Sequence, residues 1–370
     1  MFKREKFSSA MPLTRFAVLA LFGAAVIAGG SVLAQKPSEQ VFKDKQGRLK
    51  LWNMDSHEVK VQNKGPLLFE GTGRPIRGQS QDQGINLEAL KLVAELENLK
   101  SGYVLKSADL SGAVNLTQEK AGTKTNLQSA ELKIDDSGTE AKVALAKPFT
   151  MVQDSAATAT ESASKRTLKA GSATILLDSF RLPKGKLRSA DARGSVDFNL
   201  TEAARRLNLK SASAKLDQTA ETLTFTFPSA FTLVGWNQPK PGEENDINAA
   251  ADSGTGKVAE KVKRGENSLI SLDLKGNVVL KAISKATVTE GERTRVLNAK
   301  GARLTFDRAT GLMTLSGGVT YTIEVREPGE EPIEAEGASE TLLVTFDQSG
   351  NLLNATAKSG STRISEGQKP

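Results

Sequence analysis

Histidine occurs once in the 370 residues, at His57, and cysteine does not occur at all. Thiolate nucleophiles, disulfides and Cys-type metal sites are thereby excluded. A Ser-His-Asp triad or an imidazole metal site would have to be built on His57 alone, and a solvated histidine is the simpler reading of it. No GxSxG, HExxH or phosphate-loop pattern is present. Carboxylate pairs such as Glu243-Glu244 and Glu330-Glu331 lie in polar, turn-like stretches and read as solvated turns. The expectation is a non-enzyme with no catalytic residue, no metal ligand and no cofactor.

The residues that recur with regular spacing are apolar, and the chemistry open to them is the solvation of hydrocarbon. Leu274, Val278 and Leu280 share one parity. So do Leu304 with Phe306, Leu315 with Val319, and Val344 with Phe346. Earlier in the chain Phe225, Phe227 and Phe231 repeat the pattern. Period-two alternation with one apolar face marks a half-buried strand. Turn signals separate the runs, as in Asp307-Arg308-Ala309-Thr310-Gly311 and Asp347-Gln348-Ser349-Gly350-Asn351.

A glycine returns on a grid of 41 residues, at Gly71, Gly112, Gly194, Gly235, Gly276 and Gly317, with Gln153 at the node between Gly112 and Gly194. A fixed period means one small unit stacked many times. Such a stack offers a long surface or trough rather than a compact pocket. Each glycine has the parity of its apolar neighbours, so the reading is that it points inward where two walls come nearest. The fold class expected is all-β, an elongated antiparallel body of stacked repeats. A β-propeller is an alternative at this period, but its blades usually carry recurrent aromatics, and aromatics are 5% of this chain. Asn86–Leu99 fits a helix by its Leu spacing and a strand by its place on the grid.

Residues 1–34 read as an export signal. Lys3, Arg4, Lys6 and Arg15 precede an apolar run from Phe16, and Val32-Leu33-Ala34 suits a peptidase. An uncleaved anchor over 16–34 is the alternative. Either places the rest outside the cytoplasm, in a periplasm or beyond. The net charge of +7 drops to +4 without that segment, 46 basic against 42 acidic residues. That balance permits anionic lipid head groups and gives no nucleic-acid signature. The expected division is a lead-in segment over 35–66, N-terminal repeats over 67–236, a polar linker over 237–267, C-terminal repeats over 268–364 and a tail over 365–370. Within the lead-in a strand is expected near Leu49–Met54, and Asp154–Lys165 reads as a flexible excursion.

The recurring phrase is Leu274-Lys275-Gly276-Asn277-Val278-Val279-Leu280, then Ala299-Lys300-Gly301-Ala302-Arg303-Leu304-Thr305-Phe306-Asp307, then Leu312 to Val319. Ala335-Glu336-Gly337-Ala338 and Leu343-Val344-Thr345-Phe346-Asp347 repeat its second half. Over about 272–360 this resembles the OstA-like family of lipopolysaccharide transport, which includes LptA and LptC, with weaker copies around Gly112 and Gly194. The resemblance implies a folded-over antiparallel sheet, a β-jelly roll or β-taco, whose apolar trough holds acyl chains. It implies lipopolysaccharide or another anionic lipid as partner, and joining of units by edge-strand addition to other β-jelly-roll components or to copies of this chain. The lining residues would be Leu274, Val278, Leu280, Leu304, Phe306, Leu315, Val319, Val344, Phe346, Phe225, Phe227 and Phe231. The competing expectation is a non-carrier envelope scaffold or adhesive repeat protein with a solid β body.

Overall fold

The computed structural model describes residues 40–43, 49–61, 67–80, 85–99, 102–120, 122–157, 163–179, 187–219, 222–238, 240–259, 269–346 and 352–366. Residues 1–34, expected to be an export signal, lie outside the described residues. Two compact units divide the chain: one comprises Thr14–Thr158 with Ala163–Ser195, and the other includes Val196–Pro370.

In the N-terminal unit, β1 (Gln40–Lys43), β2 (Leu49–Val61), β3 (Leu67–Ser80), β4 (Ile85–Leu99), β5 (Gly102–Lys120) and β6 (Thr123–Asp136) pair antiparallel in chain order. Strands β7 (Glu140–Leu145) and β8 (Phe149–Ser155) both pair with β6. Strand β9 (Ser164–Ala170) pairs with β8, and β10 (Ser172–Asp178) pairs with β7. Strand β11 (Leu187–Glu202) pairs with β10.

The C-terminal unit repeats the plan. Both β13 (Thr222–Phe227) and β14 (Phe231–Asn237) pair with β12 (Arg205–Gln218). Strand β15 (Glu243–Ala251) pairs with β14 and β16 (Ser253–Ala259) with β13; both then pair with β17 (Leu269–Val288). From there β18 (Gly291–Asp307), β19 (Leu312–Arg326), β20 (Ile333–Phe346) and β21 (Leu352–Glu366) follow antiparallel in order. This unbroken ladder has no blade boundary, so the propeller alternative falls. The protein is all-β, an antiparallel sheet in each unit.

The sheet of each unit is creased across its strands, and the crease explains the glycines. On β17 the register slips between Lys275 and Val278, so Gly276-Asn277 bulges opposite Ala302 of β18. The same slip occurs at Gly112-Ala113 against Ala130, and at Gly317-Gly318 against Glu340. In each pair both residues have positive φ, for example 73° and 45° at Gly276 and Asn277. Two successive left-handed residues turn the strand sharply, which glycine tolerates and most residues resist. Asn277 is held there by its Nδ2, which donates to Asp252 Oδ2 at 2.8 Å. The facing strands have no bulge and turn two successive residues outward instead: Leu90-Lys91, Ala130-Glu131 and Ala302-Arg303. Buried parity therefore switches at the crease, from Leu297 and Ala299 to Leu304 and Phe306 on β18. Other strands break outright there, at Pro148, Gly171, Pro228–Ala230 and Asp252. Proline has no N–H to give the ladder.

Several expectations are corrected by this geometry. Of the two readings of 86–99, the strand is the one formed, as part of β4. The outward pair Leu90-Lys91 separates Ala89 from Leu92 by three residues, and that spacing imitates a helical face. The grid glycines do not all point inward. Gly71 and Gly235 do, being buried without positive φ. Gly112, Gly194, Gly276 and Gly317 sit on the crease, and a Cβ on Gly317 would meet Ala302 Cβ of the neighbouring strand at 2.7 Å, not an opposing wall. Gln153 is off the crease, inside β8. Within the polar stretch 237–267, Glu243–Ala251 and Ser253–Ala259 form β15 and β16 of the sheet, and 260–267 lies outside the described residues. At the ends of Asp154–Lys165, Asp154 pairs with Lys165 and Ser155 with Ser164, and 158–162 lies outside the described residues. The lead-in strand is β2.

Candidate functional site

The crease divides the C-terminal sheet into two walls that face each other. Wall A holds β13, β16 and the segments 269–275, 304–307, 312–316, 341–346 and 352–357. Wall B holds β14, β15 and the segments 278–288, 291–301, 319–326, 333–339 and 361–366. Inward side chains of both walls join in one core: Leu274, Leu304, Leu315 and Leu342 from A meet Leu280, Leu297, Val319 and Tyr321 from B. A Cβ placed on Gly254 of wall A would stand 3.0 Å from Phe231 Cε1 of wall B. Burying each such leucine contributes about 1.5–3 kcal/mol.

All the lining residues expected from sequence fall on this interior. Leu274, Val278, Leu280, Leu304, Leu315, Val319, Val344, Phe227 and Phe231 are buried, and Phe306 is 9% exposed. Phe225 and Phe346 are partly buried and pack against the core. The interior is therefore filled by its own side chains near the crease. It loosens toward the free ends of wall B. Along β19, Val319 and Tyr321 are buried while Ile323 and Val325 are half-buried. On β20 and β21, Ile333 and Ile364 reach 47% and 68% exposure.

The inward face of wall B turns polar at its rim, which the apolar pattern did not announce. Ile247, Ala282, Leu297, Ile323 and Ala335 form one cross-strand row. The next row outward is Asn245, Ser284, Arg295 and Val325, and the one beyond holds Glu243, Ala286 and Arg293. Ser284 Oγ donates to Asn245 Oδ1 at 2.8 Å. Arg295 Nη1 crosses to wall A and donates to the Leu352 carbonyl oxygen at 2.9 Å. Glu327, just past β19, accepts from Arg293 Nε at 2.6 Å, and its other oxygen lies 3.8 Å from Arg295 Nη2. The signal was available: Arg293 and Arg295 share the parity of Leu297 and Ala299.

The N-terminal unit differs in its lining. Thr125, Gln153 and Arg166 form one inward row across β6, β8 and β9, each buried. Gln153 Nε2 donates to Thr125 Oγ1 at 3.4 Å. Ser155 and Ser164 pair in the next row. His57 stacks on Phe69, ring centroids 6.2 Å apart. Among the described residues no group of three or more His, Asp or Glu is placed to hold a metal ion, and no helix is long and apolar enough to cross a membrane.

On the outer surface beside the crease, Arg303 grips Asp273 with two hydrogen bonds, 2.9 and 3.0 Å. Those bonds hold the Asp273 carboxyl below the ordinary carboxylate range and push the Arg303 guanidinium higher still.

Fold and site together define a creased, all-β sheet protein with an apolar interior rimmed by arginine. Comparison with protein-family models, with curated proteins and with solved structures finds no match. The likeness to the OstA-like family rests on the motifs quoted above.

Proposed function

We propose that this protein binds the acyl chains of a lipid, lipopolysaccharide or another anionic amphiphile, between the walls of its folded sheet and carries them through the cell envelope, in the periplasm. The observation that carries the reading is the one-faced interior to which both walls contribute Leu, Val and Phe side chains. Each buried CH₂ of a guest contributes about 0.8 kcal/mol, so several chains bind without a precise polar site. Leu274, Leu304, Leu315 and Val319 fill the space now, so a guest must part the walls, beginning where Ile323, Ile333 and Ile364 are less covered. Among the described residues β21 is paired on one side, with β20, and its other edge would take a further strand from another envelope component or a second copy.

The dense packing next to the crease favours one second reading, a solid envelope scaffold. Lipid extraction separates the two. The purified exported protein should release stoichiometric lipid in mass spectra, and Phe306→Asp should abolish it. Protein that is lipid-free in both forms supports the scaffold.

A further inference from the structure

We infer that Arg295 and Arg293 form a receptor for the anionic head of the guest, a phosphate or carboxylate, and that Glu327 occupies that receptor as an internal stand-in while the mouth is shut. The inference rests on the lipid-binding reading and adds the head group and the latch. Both arginines lie on the inward face of wall B, two residues apart on one strand, directly outward of the apolar row through Leu297. Both turn their guanidinium groups to one carboxylate: Arg293 Nε is 2.6 Å from Glu327 Oε2, and Arg295 Nη2 is 3.8 Å from Oε1. A guanidinium pair that holds a carboxylate has the geometry to hold a ligand carboxylate or phosphate.

Three further features point to exchange at this position. Glu327 is outside the ladder, opening the turn Glu327-Pro328-Gly329-Glu330, so it can leave without breaking strand pairing. The arginine side chains are 41% and 29% exposed, which admits a solvated anion. Arg295 also bonds the Leu352 carbonyl on wall A, so the residue that would meet the head group is the one that ties the two rims together. A head group that draws Arg295 away releases that tie, and the hydrocarbon attached to it then lies over Leu297 and Ile323. From residue 295 to the crease the strand runs about 20 Å. Two further acids share this face by register: Glu243, engaged by Lys240 at 3.2 Å, and Glu366, at the far end of the row through Arg295, Val325 and Ile333.

The test uses the full chain at neutral pH with two fluorescent probes of one hydrocarbon, a polyene fatty acid and its uncharged methyl ester. Wild type should bind the acid more tightly than the ester. Arg295→Gln should weaken the acid roughly tenfold, the loss of one charge-assisted contact, and leave the ester unchanged or tighter. Glu327→Gln should tighten the acid several-fold by removing the internal competitor, with no gain for the ester. Should Arg295→Gln fail to fold, as judged by its urea transition, Arg295→Lys and Glu327→Gln carry the same test. Equal binding of acid and ester in every variant overturns the head-group receptor and leaves the apolar interior standing. Binding of neither probe overturns the lipid reading itself. Excess inorganic phosphate that displaces the acid and spares the ester assigns the preference to the anion, as expected.

Discussion

Phe227 and Phe231 stack with ring centroids 4.7 Å apart, although they belong to opposite walls and a strand break at Pro228 lies between them. The pair closes the interior at the crease, where both rings are buried. Phe231→Ala is expected to lower unfolding stability by about 3–5 kcal/mol, the range for an aromatic cavity. Val234→Ala, on a side chain 50% exposed, should stay within about 0.5 kcal/mol. Urea unfolding of the two variants measures the contrast.

Gly276 has φ of 73°, and a Cβ there would run into the Asp252 carboxylate. Gly276→Ala should therefore cost about 1–2 kcal/mol through the left-handed backbone alone, and more if Asp252 loses its bond with Asn277. Gly256 supplies the control. Its φ is not positive, and an added Cβ meets Leu272 Cδ1 at an ordinary 3.5 Å. Gly256→Ala should be neutral or slightly stabilising by thermal melting.

Acid should weaken the Asp273–Arg303 clasp. The folded carboxyl titrates below its ordinary 3.8 because Arg303 hydrogen-bonds it. A lowered folded value stabilises above the unfolded value, and that contribution is lost as pH falls through the folded one. Wild type should thus lose part of its stability below about pH 4. Asp273→Asn should lack that component and be less stable at neutral pH. Parallel pH slopes for the two proteins in chemical denaturation would contradict the assignment.

Much of the strand content was legible because one face of each strand is apolar. Leu315, Val319, Tyr321 and Ile323 alternate through β19, and the structure places them on one inward face. Legibility failed at the crease. Leu90 and Lys91 both face out, so β4 breaks its own period and mimics a helix. It failed again at β15, whose inward residues are Asn245, Ile247, Ala249 and Ala251. Small and polar residues suffice there because Leu280 and Ala282 of β17 flank them, and a composition count sees only a polar stretch. The interior leucines could be named from parity alone. Parity also aligns Arg295 with Leu297, but it does not give the partner of Arg295, because the Leu352 carbonyl is 57 residues away and the contact is created by folding wall A against wall B.

Leu304, 0% exposed, reports on how the packed interior responds to change. Leu304→Ala should cost about 2–5 kcal/mol. In the lipid-binding reading the vacated volume lies beside the guest, so the variant should regain part of that loss when the polyene fatty acid is added. A melting temperature that does not respond to the probe in either protein would speak for a solid body.

Phe306 and Asp307 are adjacent on β18 and face opposite ways, Phe306 into the interior and Asp307 to solvent. A photoreactive residue at each position, irradiated in living cells that make the protein, separates a lipid-filled interior from a solid one. A lipid adduct is expected at position 306 and none at 307. Folded protein without an adduct at either position would overturn the lipid-binding reading.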